Sequence, residues 1–165
     1  MHKLPDAPNA ARRTILKAAI AGGVVGMGFT GAFPFPAYAN ADAKDWPQDA
    51  FKQKSEADAL KKLYGKTAEP SDKISLDVPE IAENGAVVPI AASSTLPNVT
   101  GIAILVLENP NALAAAYKIP KGTEASVANR LKMAKTSKVV AVFESNGKLY
   151  SAGKTVKVTV GGCGG

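Results

Sequence analysis

Between Lys73 and Val160 the sequence breaks into short β-type runs, and the turns that separate them constrain the fold more than any other feature. Their chemistry is specific: Asn84-Gly85, Leu96-Pro97-Asn98, Asn109-Pro110-Asn111, Pro120-Lys121-Gly122 and Asn146-Gly147 are residues that tight turns select. Strands are predicted near 73–78, 86–93, 100–107, 114–119, 125–134, 138–145 and 148–160. About seven strands at roughly 8–12-residue spacing predict a mainly β chain, an immunoglobulin-like β-sandwich. Asn146-Gly147 should close a tight hairpin between the apolar run Val139 to Phe143 and the long last strand. That last strand alternates polar and apolar from Lys154 to Val160, so one face is buried and Val160 is its last anchored position. The run Ile102 to Leu107 does not alternate at all. Both its faces must therefore be covered, one by the opposite sheet and the other by an N-terminal helix or a second subunit.

Upstream of the strands the period changes. From Pro47 to Tyr64 a single helix is predicted, with Phe51, Ala57, Leu60, Leu63 and Tyr64 near one stripe. Asp45 or Trp46 opens it, Pro47 suits its first turn and Gly65 suits the position after its last. Asp42, Asp45 and Asp49 then serve as charge and caps near the helix start.

Residues 1–39 read as an export signal. Ala11-Arg12-Arg13-Thr14-Ile15-Leu16-Lys17 matches the twin-arginine pattern, with Ala11 and Ile15 as mild departures. The apolar stretch Ala18 to Phe29 is short and interrupted by Gly22, Gly23, Gly26 and Gly28, which does not make a stable membrane span. Ala37-Tyr38-Ala39 supplies the small residues of a cleavage site, so the cut is expected after Ala39, with Ala41 as the alternative. The twin-arginine route carries folded proteins, which places the mature chain in the periplasm. Four parts follow: the signal at 1–39, a helix and linker at 40–72, the sandwich at 73–160 and a glycine-rich arm at 161–165.

Removing the signal also removes Lys3, Arg12, Arg13, Lys17 and Asp6, which lowers the net charge from +6 to +3. No arginine cluster or aromatic-basic interleaving is left, so nucleic acid is not an expected partner. His2, the only histidine, leaves with the signal. A chain with no imidazole, one thiol and no acidic cluster of ligand spacing lacks the residues for Cys-His catalysis, a zinc site or haem attachment. It is expected to catalyse nothing alone and to hold no metal or cofactor.

The single cysteine sits in Gly161-Gly162-Cys163-Gly164-Gly165. Glycines on both flanks offer no apolar side chains to bury a sulfur, so a core role is disfavoured. Three residues separate Val160 from Cys163, and at roughly 3.3–3.6 Å per residue the thiol reaches on the order of 10 Å beyond the last strand. Gly161, Gly162, Gly164 and Gly165 lack a Cβ and predict a narrow, flexible arm. An odd cysteine in an exported chain is either a free reactive thiol or half of an intermolecular disulfide, so disulfide-linked dimers through Cys163 are a second expectation. A third route, sulfur carried on the carboxylate of Gly165, needs ATP-dependent activation and fits an exported chain poorly.

The twin-arginine signal, a helix carrying Ala59-Leu60 and Leu63-Tyr64-Gly65, the small β-sandwich and the pentapeptide around Cys163 together resemble the SoxY family, sulfur-carrier subunits of the periplasmic thiosulfate-oxidising system. The resemblance spans the chain, and the pentapeptide is its most specific element. It implies that Cys163 carries the substrate covalently and that the chain is a carrier visited by enzymes. It further implies a heterodimer with a SoxZ-type β-sandwich subunit. The implied visitors are a c-type haem enzyme that conjugates thiosulfate, a hydrolase that releases sulfate and, where present, a molybdenum sulfur dehydrogenase. The chemistry agrees, because a thiolate makes S–S bonds that other enzymes can form and break, and a tethered adduct is not lost by diffusion.

Overall fold

The computed structural model describes residues 46–160. The chain divides between Asn40 and Ala41, and every described residue belongs to the second unit. Among the described residues no helix is long and apolar enough to cross a membrane.

The helical region comes first, and it is two helices rather than the one predicted. Helix α1 spans Gln48–Phe51 and helix α2 spans Glu56–Tyr64. The break follows from Ser55, whose extended backbone (φ −114°, ψ 153°) lets its hydroxyl accept the Asp58 amide while donating to the Asp58 carboxylate at 2.7 Å. A serine with an acid three residues on is a strong start signal, and it outcompetes continuation from α1. The freed backbone has other work: the Gln53 carbonyl accepts the Ala112 amide at 2.9 Å, tying the break to the sheet. Pro47, not Asp45 or Trp46, occupies the cap position of α1, without a side-chain cap bond. Trp46 stacks on Phe51, ring centroids 4.8 Å apart. Restarting at Ser55 also resets the stripe, so Ala59 and Leu60 are buried and Ala57 is exposed. Gly65 ends α2 as expected, at φ +69° with its amide on the Lys61 carbonyl.

Nine strands follow among the described residues: β1 Ala68–Pro70, β2 Ile74–Asp77, β3 Ile81–Ala82, β4 Val88–Ser94, β5 Val99–Val106, β6 Leu113–Lys118, β7 Ser126–Leu131, β8 Ser137–Ser145 and β9 Lys148–Val158. They form the mainly β, immunoglobulin-like sandwich that the spacing predicts. One sheet runs β1-β9-β8-β5-β6 with β3 also on β9, and the other runs β2-β4-β7. The seven predicted strands all appear. The two unpredicted ones, β1 and β3, are too short to show alternation, and β1 lies in the stretch 66–72 read as a linker. Both pair parallel with β9, Ala68 to Pro70 against Leu149 to Ser151 and Ile81 to Ala82 against Lys157 to Val158. Asn146-Gly147 makes the two-residue turn between β8 and β9, with φ +49° and +74° and Ser145 opposite Lys148. Positive φ at both positions is what a type I′ turn requires.

The large sheet is buried on both faces. Ile102, Ile104 and Val106 of β5, with Val139, Ala141 and Phe143 of β8, face Ile74, Leu76, Val88 and Ile90 of the small sheet. The intervening Ala103, Leu105, Val140 and Val142 pack under Ala50, Ala59 and Leu60. The unalternating run at 102–107 is thus covered by this chain's own helices, the first of the two expected coverings.

Candidate functional site

The residues expected to carry function, Gly161, Gly162, Cys163, Gly164 and Gly165, lie outside the described residues. What the structure places is the root from which they leave, the end of β9.

The strand's apolar alternation carries as far as Val156, fully buried, and Val158, which packs partly against the sandwich core. Beyond that point the chain is held by its backbone. Lys157 donates its amide to the Glu80 carbonyl at 2.9 Å, and Thr159 donates to Ala82 at 3.1 Å. The Thr159 hydroxyl reaches the Glu83 carbonyl at 3.1 Å. Val160 accepts the Gly85 amide at 2.8 Å, and the Gly85 carbonyl in turn accepts the Met133 amide at 2.7 Å. On the other edge the Val158 amide donates to the Thr136 hydroxyl at 3.0 Å. The loop that supplies Gly85 is itself shaped by Asn84, whose side-chain oxygen accepts the Ala86 amide at 2.8 Å. Val160, where the described residues end, is thus anchored, and it is held through its carbonyl. Its side chain is 64 % exposed.

Sequence reasoning missed the partners that do the anchoring. Ile81-Ala82 is too short to declare itself a strand, and the Thr159 and Gly85 bonds join segments about 75 residues apart, which no local pattern encodes. Asn84-Gly85 was the legible part, and it serves as a loop rather than a hairpin turn.

Away from the root, one titratable group among the described residues is clearly perturbed. Tyr64 has its phenol pKa pushed up to about 12, first by burial and then by the nearby Glu144 carboxylate. Glu144 accepts the Thr100 hydroxyl at 2.9 Å and pairs with Lys66 at 3.2 Å. A Cβ at Gly101 would lie 3.0 Å from the Tyr64 hydroxyl oxygen, so glycine there makes room for the ring. This cluster joins α2 to the sheet. Among the described residues no group of three His, Cys, Asp or Glu could hold a metal. An open depression over Asp77, Pro89, Ala91, Ala128 and Arg130 lies on the small sheet and holds no nucleophile.

Similarity to known proteins bears on this geometry. The family model described as sulfur oxidation protein SoxY matches residues 60–163, a span that starts in α2 and whose last residue is Cys163. Among solved structures, the sulfur carrier protein SoxY from Chlorobium limicola f thiosulfatophilum is 36% identical and superposes with a TM-score of 0.58 over 63% of this chain and 96% of its own. A superoxide reductase (neelaredoxin) from Ignicoccus hospitalis is 18% identical with a TM-score of 0.46, over 52% of this chain and 80% of its own. No curated protein matches. With the family model covering more than half the sequence, and the described fold agreeing with it, the chain belongs to the SoxY family of sulfur oxidation proteins.

Proposed function

We propose that this chain is a covalent sulfur carrier in thiosulfate oxidation, holding its cargo on Sγ of Cys163 and catalysing no step itself. The observation that carries the reading is the family match that runs through residues 60–163 and so includes the cysteine. A relative whose printed description is sulfur carrier protein supports the same role.

The chemistry needs only the thiol from this chain. Thiosulfate joins Cys163 through a new S–S bond while two electrons leave, one at a time, through the c-type haem of a conjugating enzyme to that enzyme's electron acceptor and the thiol proton passes to water, which leaves an S-thiosulfonate. Water then attacks the outer sulfonate sulfur in a hydrolase; the S–S bond to it breaks, sulfate and two protons leave, and a persulfide anion stays on Cys163. A molybdenum sulfur dehydrogenase, where present, would oxidise that sulfane sulfur to a sulfonate with three waters as the oxygen source, six protons passing to solvent and six electrons to the enzyme's electron acceptor, and hydrolysis of the remaining S–S bond releases sulfate and frees the thiolate again. Gly161, Gly162, Gly164 and Gly165 serve as a tether that adds no side chains beside the reacting sulfur. A SoxZ-type subunit completes the carrier, and the twin-arginine signal delivers it folded to the periplasm. The subunit rests on family membership alone, because α2 already covers the face of β5 that an unpaired run would have offered.

Intact-mass analysis of the protein recovered from the periplasm of thiosulfate-fed cells tests the reading. Adducts of sulfur, sulfonate or thiosulfonate composition are expected, lost on thiol reduction and absent in Cys163→Ser. An unmodified mass during active oxidation would sink it. A mass of twice the chain that reduction halves would instead favour an exported structural sandwich joined as disulfide dimers through Cys163.

A further inference from the structure

Four large apolar side chains are exposed among the described residues: Trp46, Ile81, Val87 and Val160. Single exposed apolar residues are ordinary and need no explanation. Their placement here is not scattered. Trp46 belongs to the helical region and stacks on Phe51. The other three lie on the segments that hold the end of β9. Ile81, 58 % exposed, sits opposite Lys157 on β3, which among the described residues pairs only with β9. Val160, 64 % exposed, is the residue whose carbonyl is held by Gly85, and Val87, 55 % exposed, follows Gly85 by two residues. An apolar side chain on a sheet edge is usually replaced by a charge unless something covers it.

We propose that Ile81, Val87 and Val160 form an apolar collar around the root of the cysteine-bearing segment, and that the collar docks the enzyme that loads Cys163, through an apolar rim around that enzyme's active-site opening. The proposal rests on the carrier reading. Covalent reach supplies the first reason: Cys163 is three residues past Val160, so its sulfur lies within on the order of 10 Å of the collar, and an enzyme that encloses it must bring its surface against these residues. The flanking glycines supply the second. They have almost no apolar area to contribute, so binding energy for the encounter has to come from the body of the carrier. The third is preorganisation. Hydrogen bonds from Lys157, Thr159 and Gly85 fix the backbone under the collar, so little order is lost on docking. Three side chains bury far less than the roughly 1,200 Å² of a stable interface. That suits a carrier which must leave one enzyme for the next.

The experiment is thiosulfate loading of the full carrier, with its partner subunit, by the purified c-type haem conjugating enzyme, read by intact mass as a function of carrier concentration. In Ile81→Ser/Val87→Ser/Val160→Ser the KM for carrier should rise about tenfold or more while kcat at saturation holds. Alkylation of Cys163 by iodoacetamide should proceed at the wild-type rate, and Trp46→Ser should load like wild type. Val160→Glu, beyond the last paired residue of β9, should raise KM by itself without any question of folding. An unchanged KM in both variants would overturn the proposal. So would loss of the partner subunit from the triple variant on gel filtration, which would assign the collar to that permanent interface. Conversion of a concentration-dependent dimer to monomer with KM unchanged would assign it to a second copy of the chain. If wild-type carrier itself takes up no thiosulfate, the carrier reading is what fails, and the collar falls with it.

Discussion

The two ends of β9 are held by different physics. At the hairpin end Leu149 is 2 % exposed and packs with Leu60 and Val142 under α2, while β1 pairs alongside it. At the other end Val158 packs only in part, Thr159 and Val160 point outward, and the chain is held by amides and carbonyls from Glu80 to Gly85. Burial fixes a strand by consuming its side chains. Backbone bonding fixes it and leaves the side chains exposed.

If that contrast is right, the two ends should answer very differently to truncation. Leu149→Ala removes buried methyl groups and leaves a cavity beneath α2, so a loss of about 2–5 kcal/mol is expected in urea denaturation. Val160→Ala removes comparable apolar bulk from an exposed position and should stay within about 0.5 kcal/mol. Similar costs at both positions would mean that the exit end is packed after all, and the distinction would collapse.

A smaller effect sharpens the description of the exit. Thr159→Val keeps the shape and β preference of the residue but deletes the hydroxyl donor to the Glu83 carbonyl. The net worth of such a bond is about 0.5–1.5 kcal/mol, and exposure to water places this one at the low end. The loss should be local. Hydrogen exchange at the Gly85 amide should quicken while that of the amides paired along Val139 to Phe143 keeps its wild-type protection. Equal acceleration across the sheet would show that the exit is not an independent unit.

How much of this was legible follows the same division. Side-chain burial leaves periodicity in the sequence, so β2, β4 and β9 were readable from alternation, and β5 and β8 from its absence. Turns leave residue identities, so Asn146-Gly147 announced the hairpin. The exit's anchoring is mostly backbone to backbone across long separations, and apart from the turn pair Asn84-Gly85 its partners, such as Ala82 and Glu83, have no property that a pattern would display. The split between α1 and α2 was in principle readable from Ser55 and Asp58, and was masked by an apolar stripe that fits a continuous helix almost as well. Cys163 and its glycines were conspicuous by residue type alone, yet nothing in the chain before them says what the thiol carries. Family membership supplied the sulfur-carrier role, and the described structure supplied the exposed Ile81, Val87 and Val160 near the end of β9.

The smallest expected effect is invisible at neutral pH and concerns only the burial-held end. Glu144 lies opposite Leu149 across the hairpin, pairs with Lys66 and acts on Tyr64, whose pKa is raised to about 12. An unfolded tyrosine loses its proton near pH 10. Between pH 10 and about 12 the folded chain therefore keeps a proton that the unfolded chain has released. Fewer protons on the unfolded state mean that stability falls as pH rises through this window, while below pH 10 the phenol contributes no slope. Tyr64→Phe has no proton to lose, so the difference in urea midpoint between wild type and variant should be flat up to pH 10 and should narrow or reverse above it. Taking the difference cancels every titration that the two proteins share. Glu144→Gln should leave the onset near pH 10 and lower the pH at which the fall levels off, by removing the charge that repels the phenolate, but only in part, since burial is the larger cause. The exit bonds contain no ionisable side chain, so the collar should be indifferent to all of this: iodoacetamide labelling of Cys163, corrected for thiolate fraction, should give the same rate in wild type and Tyr64→Phe at pH 11. A variant-dependent rate there would couple the two ends through β9, and the strand would have to be regarded as one unit with a single mode of anchoring.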